Sequence, residues 1–313
     1  MKRLLVVGMI LGGMGLYAGE NADNAAPYMK MGVGVRAIGL GGAFVAVSDD
    51  ASAGFWNPAG LSQIEAREVS AVYGGLAYSR SFHTLSLVQP LSRGGFGVTY
   101  LRVGLEGYEL WDVNDNHKGE GNYGVNSMLI SYGAALDESE RVSGGVSLKV
   151  IRASLDEISG TRKASGFGLD VGTLIKIGDS LKLGAVVADI NTKENWEGSG
   201  DNKSNQVPIK LKMGIASSLV GGDLLLTSDF VRNLGEKFSE YHFGTEYTLA
   251  ESLKIRGGLS LRTDKIKHTE WAIGGSYILG LRENLGLSLD YVYTIGQNDL
   301  DLEGHRLGIS LKF

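Results

Sequence analysis

The chain has 313 residues, a formal net charge of −5 and no cysteine. The missing cysteine excludes disulfide frameworks, cysteine nucleophiles and thiolate metal sites, and an acidic balance without a Lys/Arg cluster argues against nucleic acid as a partner. Glycine reaches 47 residues against only 4 prolines, so it does not belong to a disordered Pro/Gly tract, and a mean hydropathy of +0.00 is too polar for a bundle of membrane helices.

Residues 1–18 read as a secretory signal peptide. Lys2 and Arg3 supply the charge, Leu4 to Leu16 form the apolar stretch, and Ala18 is the last residue removed. The stretch is shorter than the roughly 18 apolar residues of a membrane anchor. No later apolar run reaches that length. The expectation is an exported protein, either soluble or a membrane β-barrel.

Residues 19–66 show no strand alternation and are rich in Gly and Ala, which lets backbone pack closely in a confined space. Within them, Asp50 is placed to cap a short helix beginning at Ala51. Asn57 and Pro58 repeat the device as N-cap and first helical residue. The proline pushes Asn57 itself to an extended conformation. Phe55 and Trp56 would pack the corner between the two helices. The expectation is a small helical hatch in a barrel lumen, centred on Asp49, Asp50, Phe55, Trp56, Asn57, Pro58, Ala59 and Gly60.

From residue 67 to 313 the apolar period is two. In "SLKIRGGLSLRT", Leu253, Ile255, Leu259 and Leu261 share one face and Lys254, Arg256, Ser260 and Arg262 the other. The pattern predicts strands at 68–79, 82–91, 95–106, 125–136, 141–153, 164–177, 180–190, 207–219, 222–232, 241–249, 252–263, 269–279, 284–295 and 304–313. These are about fourteen strands of about 10–14 residues, long for a soluble protein and right for tilted membrane strands. Short connections alternate with longer ones at 107–124, 154–163, 191–206, 233–240, 264–268 and 296–303. That parity is expected of a membrane barrel. The last strand carries Leu307, Ile309, Leu311 and a terminal Phe313, the pattern that outer-membrane barrel assembly machinery reads. The predicted fold class is all-β: a transmembrane antiparallel β-barrel of about 14 strands with the hatch in its lumen.

Such a barrel is too wide for side chains alone to fill. Its expected inward faces carry both charges, including Lys149, Asp170, Lys210, Asp229, Glu246 and Arg256. Mixed charges suit pairing with each other or with the hatch better than a charge-selective pore. Other motifs carry little. "GVGVRA" at 32–37 does not follow a strand in a βαβ unit. No GxSxG elbow occurs. The five histidines are scattered, and "DVNDNHKGEGN" at 112–122 lacks calcium-loop spacing. No catalytic residue, metal or cofactor is expected, and the protein is not read as an enzyme.

"GVGVRAIGLGGAFVAVSDDASAGFWNPAGL", residues 32–61, resembles the N-terminal signature of the PorV/PorQ family, within the wider FadL-like group of fourteen-stranded outer-membrane barrels. Asn57, Pro58 and Ala59 match a motif of that group. The resemblance implies a protein in the outer-membrane bilayer of a diderm bacterium that transports hydrophobic small molecules. They would leave sideways through a gap at a kinked third strand, here "FGVTYLRVGLEGYEL", with Gly104 and Gly107 as the bend. The alternative is a PorV-like component of type IX secretion that binds the C-terminal signal domains of secreted cargo proteins.

Overall fold

The computed structural model describes residues 29, 31–76, 80–197, 204–235, 238–263, 268–282, 285–297 and 304–313. The signal peptide expected at 1–18 lies outside them. The strands are β1 (Glu68–Leu76), β2 (Arg80–Leu91), β3 (Gly94–Trp111), β4 (His117–Ala135), β5 (Val142–Glu157), β6 (Gly160–Ile177), β7 (Leu181–Trp196), β8 (Ser204–Gln206), β9 (Lys210–Leu219), β10 (Leu224–Asn233), β11 (Ser239–Ala250), β12 (Leu253–Arg262), β13 (His268–Arg282), β14 (Leu285–Gln297) and β15 (Gly304–Lys312).

Each strand pairs antiparallel with its neighbours, and β1 pairs with β15 from Glu68↔Lys312 to Leu76↔Gly304. The ring is closed. The short β8 and β9 both lie against β7 and fill one position, so the wall has 14 strands. Closure satisfies every ladder and leaves no edge, the condition for a sheet in lipid. Among the described residues no helix is long and apolar enough to cross a membrane.

The period of two does what it predicts. Outward positions carry large apolar side chains with nothing over them, such as Ile273 (70 % exposed), Trp271 (57 %) and Leu307 (57 %). Inward positions carry buried polar and charged groups, among them Lys149, Asp170, Asp229, Glu246, Arg256 and Arg306. A sheet with this polarity is stable only with its outer face in an apolar medium.

Three of the six expected long connections are largely strand. β3 to β7 run 16 to 19 residues, so 107–124, 154–163 and 191–206 form projecting hairpins, the first two with short tips. In the first two, neither face is buried along 106–120 and 154–163, so no apolar alternation marks them in the sequence.

Residues 31–66 lie inside the wall. They form α1 (Val35–Gly39), a turn through Val47, α2 (Ala53–Trp56) and a 3-10 helix (Pro58–Gln63). Val33, Leu40, Phe44 and Leu61 are fully buried. The wall meets this segment with a collar of glycines. Gly95, Gly133, Gly145 and Gly172 stand opposite one another across β3 to β6, and Gly184–Gly214 and Gly244–Gly258 continue the collar. A methyl group on Gly145 would overlap Pro58 and Ala59, and one on Gly258 would overlap Leu40 and Gly41. Backbone lies on backbone there, with no room for a side chain.

Gly145→Val is therefore expected to destabilise the barrel by at least the roughly 1–3 kcal/mol typical of overpacking. The heat-dependent gel-mobility transition of the folded barrel should move to lower temperature.

Candidate functional site

The polar atoms that residues 31–66 carry into the lumen are met by wall side chains. Asp229 of β10 accepts the backbone N–H groups of Phe44 and Val45 at 2.7 and 2.8 Å through one oxygen. Ser147 of β5 donates to the Gly54 carbonyl at 2.7 Å, and Thr227 to that of Ala43 at 3.1 Å. Asn57 donates to the carbonyls of Val45 (2.8 Å) and Thr173 of β6 (3.0 Å) and accepts from the Ala59 N–H. It is extended (φ −153°, ψ 106°) and caps the 3-10 helix that Pro58 begins. Asp50 does not cap a helix starting at Ala51. The helix starts at Ala53, and Asp50 accepts from the Ser52 N–H and hydroxyl instead, bracing the turn before it. The extra turn is needed because the chain must swing from Val47 back across the lumen before α2 begins.

Arg36 in α1 joins this segment to the wall electrostatically. It pairs with Asp49 and donates twice to Glu246 of β11, at 2.9 and 3.0 Å. Glu246 also pairs with Arg256 of β12, which reaches Ser276 and Asp290. Burial opposes charge on both Asp49 and Asp50. Arg36 nonetheless holds the Asp49 carboxyl below the usual carboxylate range, whereas burial leaves Asp50 above it. A second buried cluster sits on β5 to β9, where Lys149 pairs with Asp170 (2.8 Å) and Asp189, and Lys210 reaches Asp189 at 3.3 Å. Asp189 arrives there through a bulge in β7. It is left-handed (φ 62°), and the β6–β7 register slips around it.

Two cavities lie on opposite sides of the segment and share no lining residue. The one beside Glu240 of β11, Arg262 of β12 and His268 of β13 has a volume of about 110 Å³. Met29, Met31, Ile38, Phe55 and Trp56 form its apolar side. Trp56 meets Phe55 edge-on at 5.3 Å and donates to the Val33 carbonyl at 2.8 Å. The Lys212 ammonium stands 5.9 and 5.8 Å from the Phe55 and Trp56 rings. Phe55 and Trp56 thus face a cavity. The other, at the short-turn end, is about 270 Å³ and is lined by the charged residues Arg36, Asp49, Asp50, Glu68, Lys254 and Asp290 among others.

A model of the uncharacterised protein family UPF0164 matches residues 20–206, more than half of the sequence. The chain belongs to the UPF0164 family. No curated protein matches this UPF0164 chain. Its fold is similar to solved structures of low identity. The CymD monoaromatic hydrocarbon channel is 14 % identical, with a TM-score of 0.62 over 90 % of this chain and 97 % of that one. The Pseudomonas putida toluene transporter TodX is 14 % identical with a TM-score of 0.59 over the same shares, 90 % and 97 %. A Pseudomonas aeruginosa FadL homologue is 12 % identical with a TM-score of 0.55, over 87 % of this chain and 95 % of that one.

In this UPF0164 protein the third strand runs unbroken. Gly104 pairs in register with Ser81 and Gly124, and the β2–β3 ladder continues from Arg80↔Leu105 to Leu91↔Gly94. Gly107 (φ 70°) does form a bulge, but past the end of that ladder, in the projecting hairpin. The wall is instead least regular where β8 gives way to β9. Val207, Pro208 and Ile209 leave the ladder, and Val207 keeps a single bond to the Thr192 carbonyl at 2.9 Å.

Arg36 and Asp189 were not singled out from the sequence. Arg36 had a readable signal, because a lone cation in a Gly/Ala run must find a counter-charge when buried. Asp189 had none, since only the bulge turns its odd-numbered position inward.

Asn57→Ala removes three buried hydrogen bonds and should cost on the order of 1–3 kcal/mol, read as faster proteolysis within residues 31–66. Lys149→Met strands two buried carboxylates and should cost more, about 3–5 kcal/mol, read as a lower unfolding temperature in detergent.

Proposed function

We propose that this protein is an outer-membrane barrel through which small hydrophobic molecules cross, with residues 31–66 as the hatch that controls passage. The loop-end cavity carries this reading. It presents Met29, Met31, Ile38, Phe55 and Trp56 inside a barrel whose fold is shared with monoaromatic hydrocarbon channels. Thioether and aromatic faces grip apolar rings. An apolar cavity of about 150 Å³ is enough to hold benzene. At about 110 Å³ this one suits a single ring or a few carbons better than a long acyl chain.

The apolar outer band seats the wall in the bilayer, and β15 with Leu307, Ile309, Leu311 and Phe313 is the strand offered to the assembly machinery. Because the two cavities share no lining residue, passage requires the hatch to shift. Breaking the Arg36–Glu246 pair is one route to that shift.

The test is retention and uptake of a monoaromatic probe. Purified protein should retain toluene, measured by headspace mass spectrometry, and proteoliposomes should take it up faster than empty vesicles. Ile38→Phe, which fills the cavity from α1, should reduce retention several-fold while leaving the heat-dependent gel mobility of the barrel unchanged. Absence of toluene binding, with recovery of secreted proteins sharing a C-terminal domain, would replace this reading with the secretion adaptor.

A further inference from the structure

One half of the barrel's outer face carries cations at the upper limit of its apolar band. Arg102 of β3, Arg152 of β5, Lys163 of β6 and Lys193 of β7 all face outward and are exposed. None of their side chains has a hydrogen-bond or ion-pair partner among the described residues. Their placement follows from the register. His83, Arg102, Asn126, Arg152, Ser165 and Asn195 stand directly opposite one another across β2 to β7 and form a single row. Arg102 and Arg152 are therefore two strand spacings apart, roughly 10 Å. Lys163 lies one step from the row toward the hairpin tips, and Lys193 one step toward the short turns.

The rows on either side differ sharply. Toward the short turns the next outward row is Leu85, Tyr100, Met128, Val150 and Phe167. Toward the tips it is Ser81, Gly104, Gly124, Ser154 and Lys163, followed by Glu197 just past β7. The cations thus have acyl-sized apolar surface below them and a shallow shelf without bulky side chains above. Among the described residues the carboxylate on the shelf is Glu197, opposite Lys163 just past β7, and none stands beside Arg102 or Arg152 in either row. On the other half of the perimeter the outward residues toward the long connections include the aromatics Tyr73, Tyr241, Trp271 and Tyr291.

We propose that the outer face of β2 to β7 is a binding site for a lipid with a phosphorylated headgroup. The chains would lie on the Tyr100–Phe167 row and the phosphate between Arg102 and Arg152, with the headgroup on the Gly104–Gly124 shelf. Guanidinium groups suit this role because their fork matches phosphate oxygens. Free cations beside an apolar band fit an amphiphile held from the bilayer better than a soluble anion. The site depends on the barrel standing in a membrane and not on what crosses its lumen, so it stands or falls apart from the transport reading.

The experiment reconstitutes the full barrel with equimolar phosphatidylglycerol and phosphatidylcholine and reads bound lipid by native mass spectrometry. The unmodified protein should retain phosphatidylglycerol preferentially. Each cation at an anionic surface is worth roughly fivefold, so R102Q/R152Q should reduce that preference by roughly 25-fold. R102K/R152K should keep most of it, and R141Q/K176Q at the short-turn end should leave it unchanged. Heat-dependent gel mobility checks that each variant is folded, and K163Q/K193Q replaces the first pair if R102Q/R152Q is not. Equal retention of the two lipids by the unmodified protein would overturn the proposal. So would undiminished preference in the folded double variant, or displacement of the lipid by millimolar inorganic phosphate, which would mark a site for the free anion.

Discussion

A closed wall of this width leaves an interior that side chains cannot fill, and everything inside follows from that. The protein fills the space with its own main chain. Backbone brought out of water must have its N–H and carbonyl groups paired. The wall therefore carries Asp229 for the amides of Phe44 and Val45, and Ser147 and Thr227 for the carbonyls of Gly54 and Ala43. These inward polar groups complete the secondary structure of a segment that has too little of its own.

The buried charges serve the same end at longer range. Arg36 on the lumenal segment and Arg256 on the wall share Glu246 between them, and Asp49 and Asp290 balance the set. Such groups are costly to bury unless every member is paired. Their geometry thus specifies one seating of the segment more than it stabilises it. The ion network is also where a modest rearrangement has the largest effect, because one shared carboxylate links the lumenal segment to the wall. The apolar cavity beside Trp56 sits on the other side of the same short helix.

Much of the wall was legible in the sequence because one physical cause produced the pattern. Lipid outside and polar contents inside force a period of two, and fourteen stretches with that period became the fourteen wall positions. Legibility failed where the cause stopped. The ends of β3 to β7 project past the apolar band, so "EGYELW" and "HKGEGNYG" read as loop although they are paired. Local chemistry was readable at Asn57–Pro58, where cap and proline act within two residues. It misled at Asp50, whose carboxylate binds Ser52 rather than the start of a helix. The bulge that turns Asp189 inward, and the cavity formed when Met29, Ile38 and Trp56 meet, depend on contacts far apart in the chain and leave no local trace.

The glycine collar has a consequence for how the molecule comes into being. Backbone gripped by wall backbone at Gly145, Gly244 and Gly258 has no clearance through which it could later be threaded. Residues 31–66 must therefore already be in place when β1 meets β15. The wall wraps its contents, and the seam between the first and last strands is the final stitch. A chain that closed that seam early would be an empty cylinder with its counter-charges exposed, unable to take up the segment afterwards.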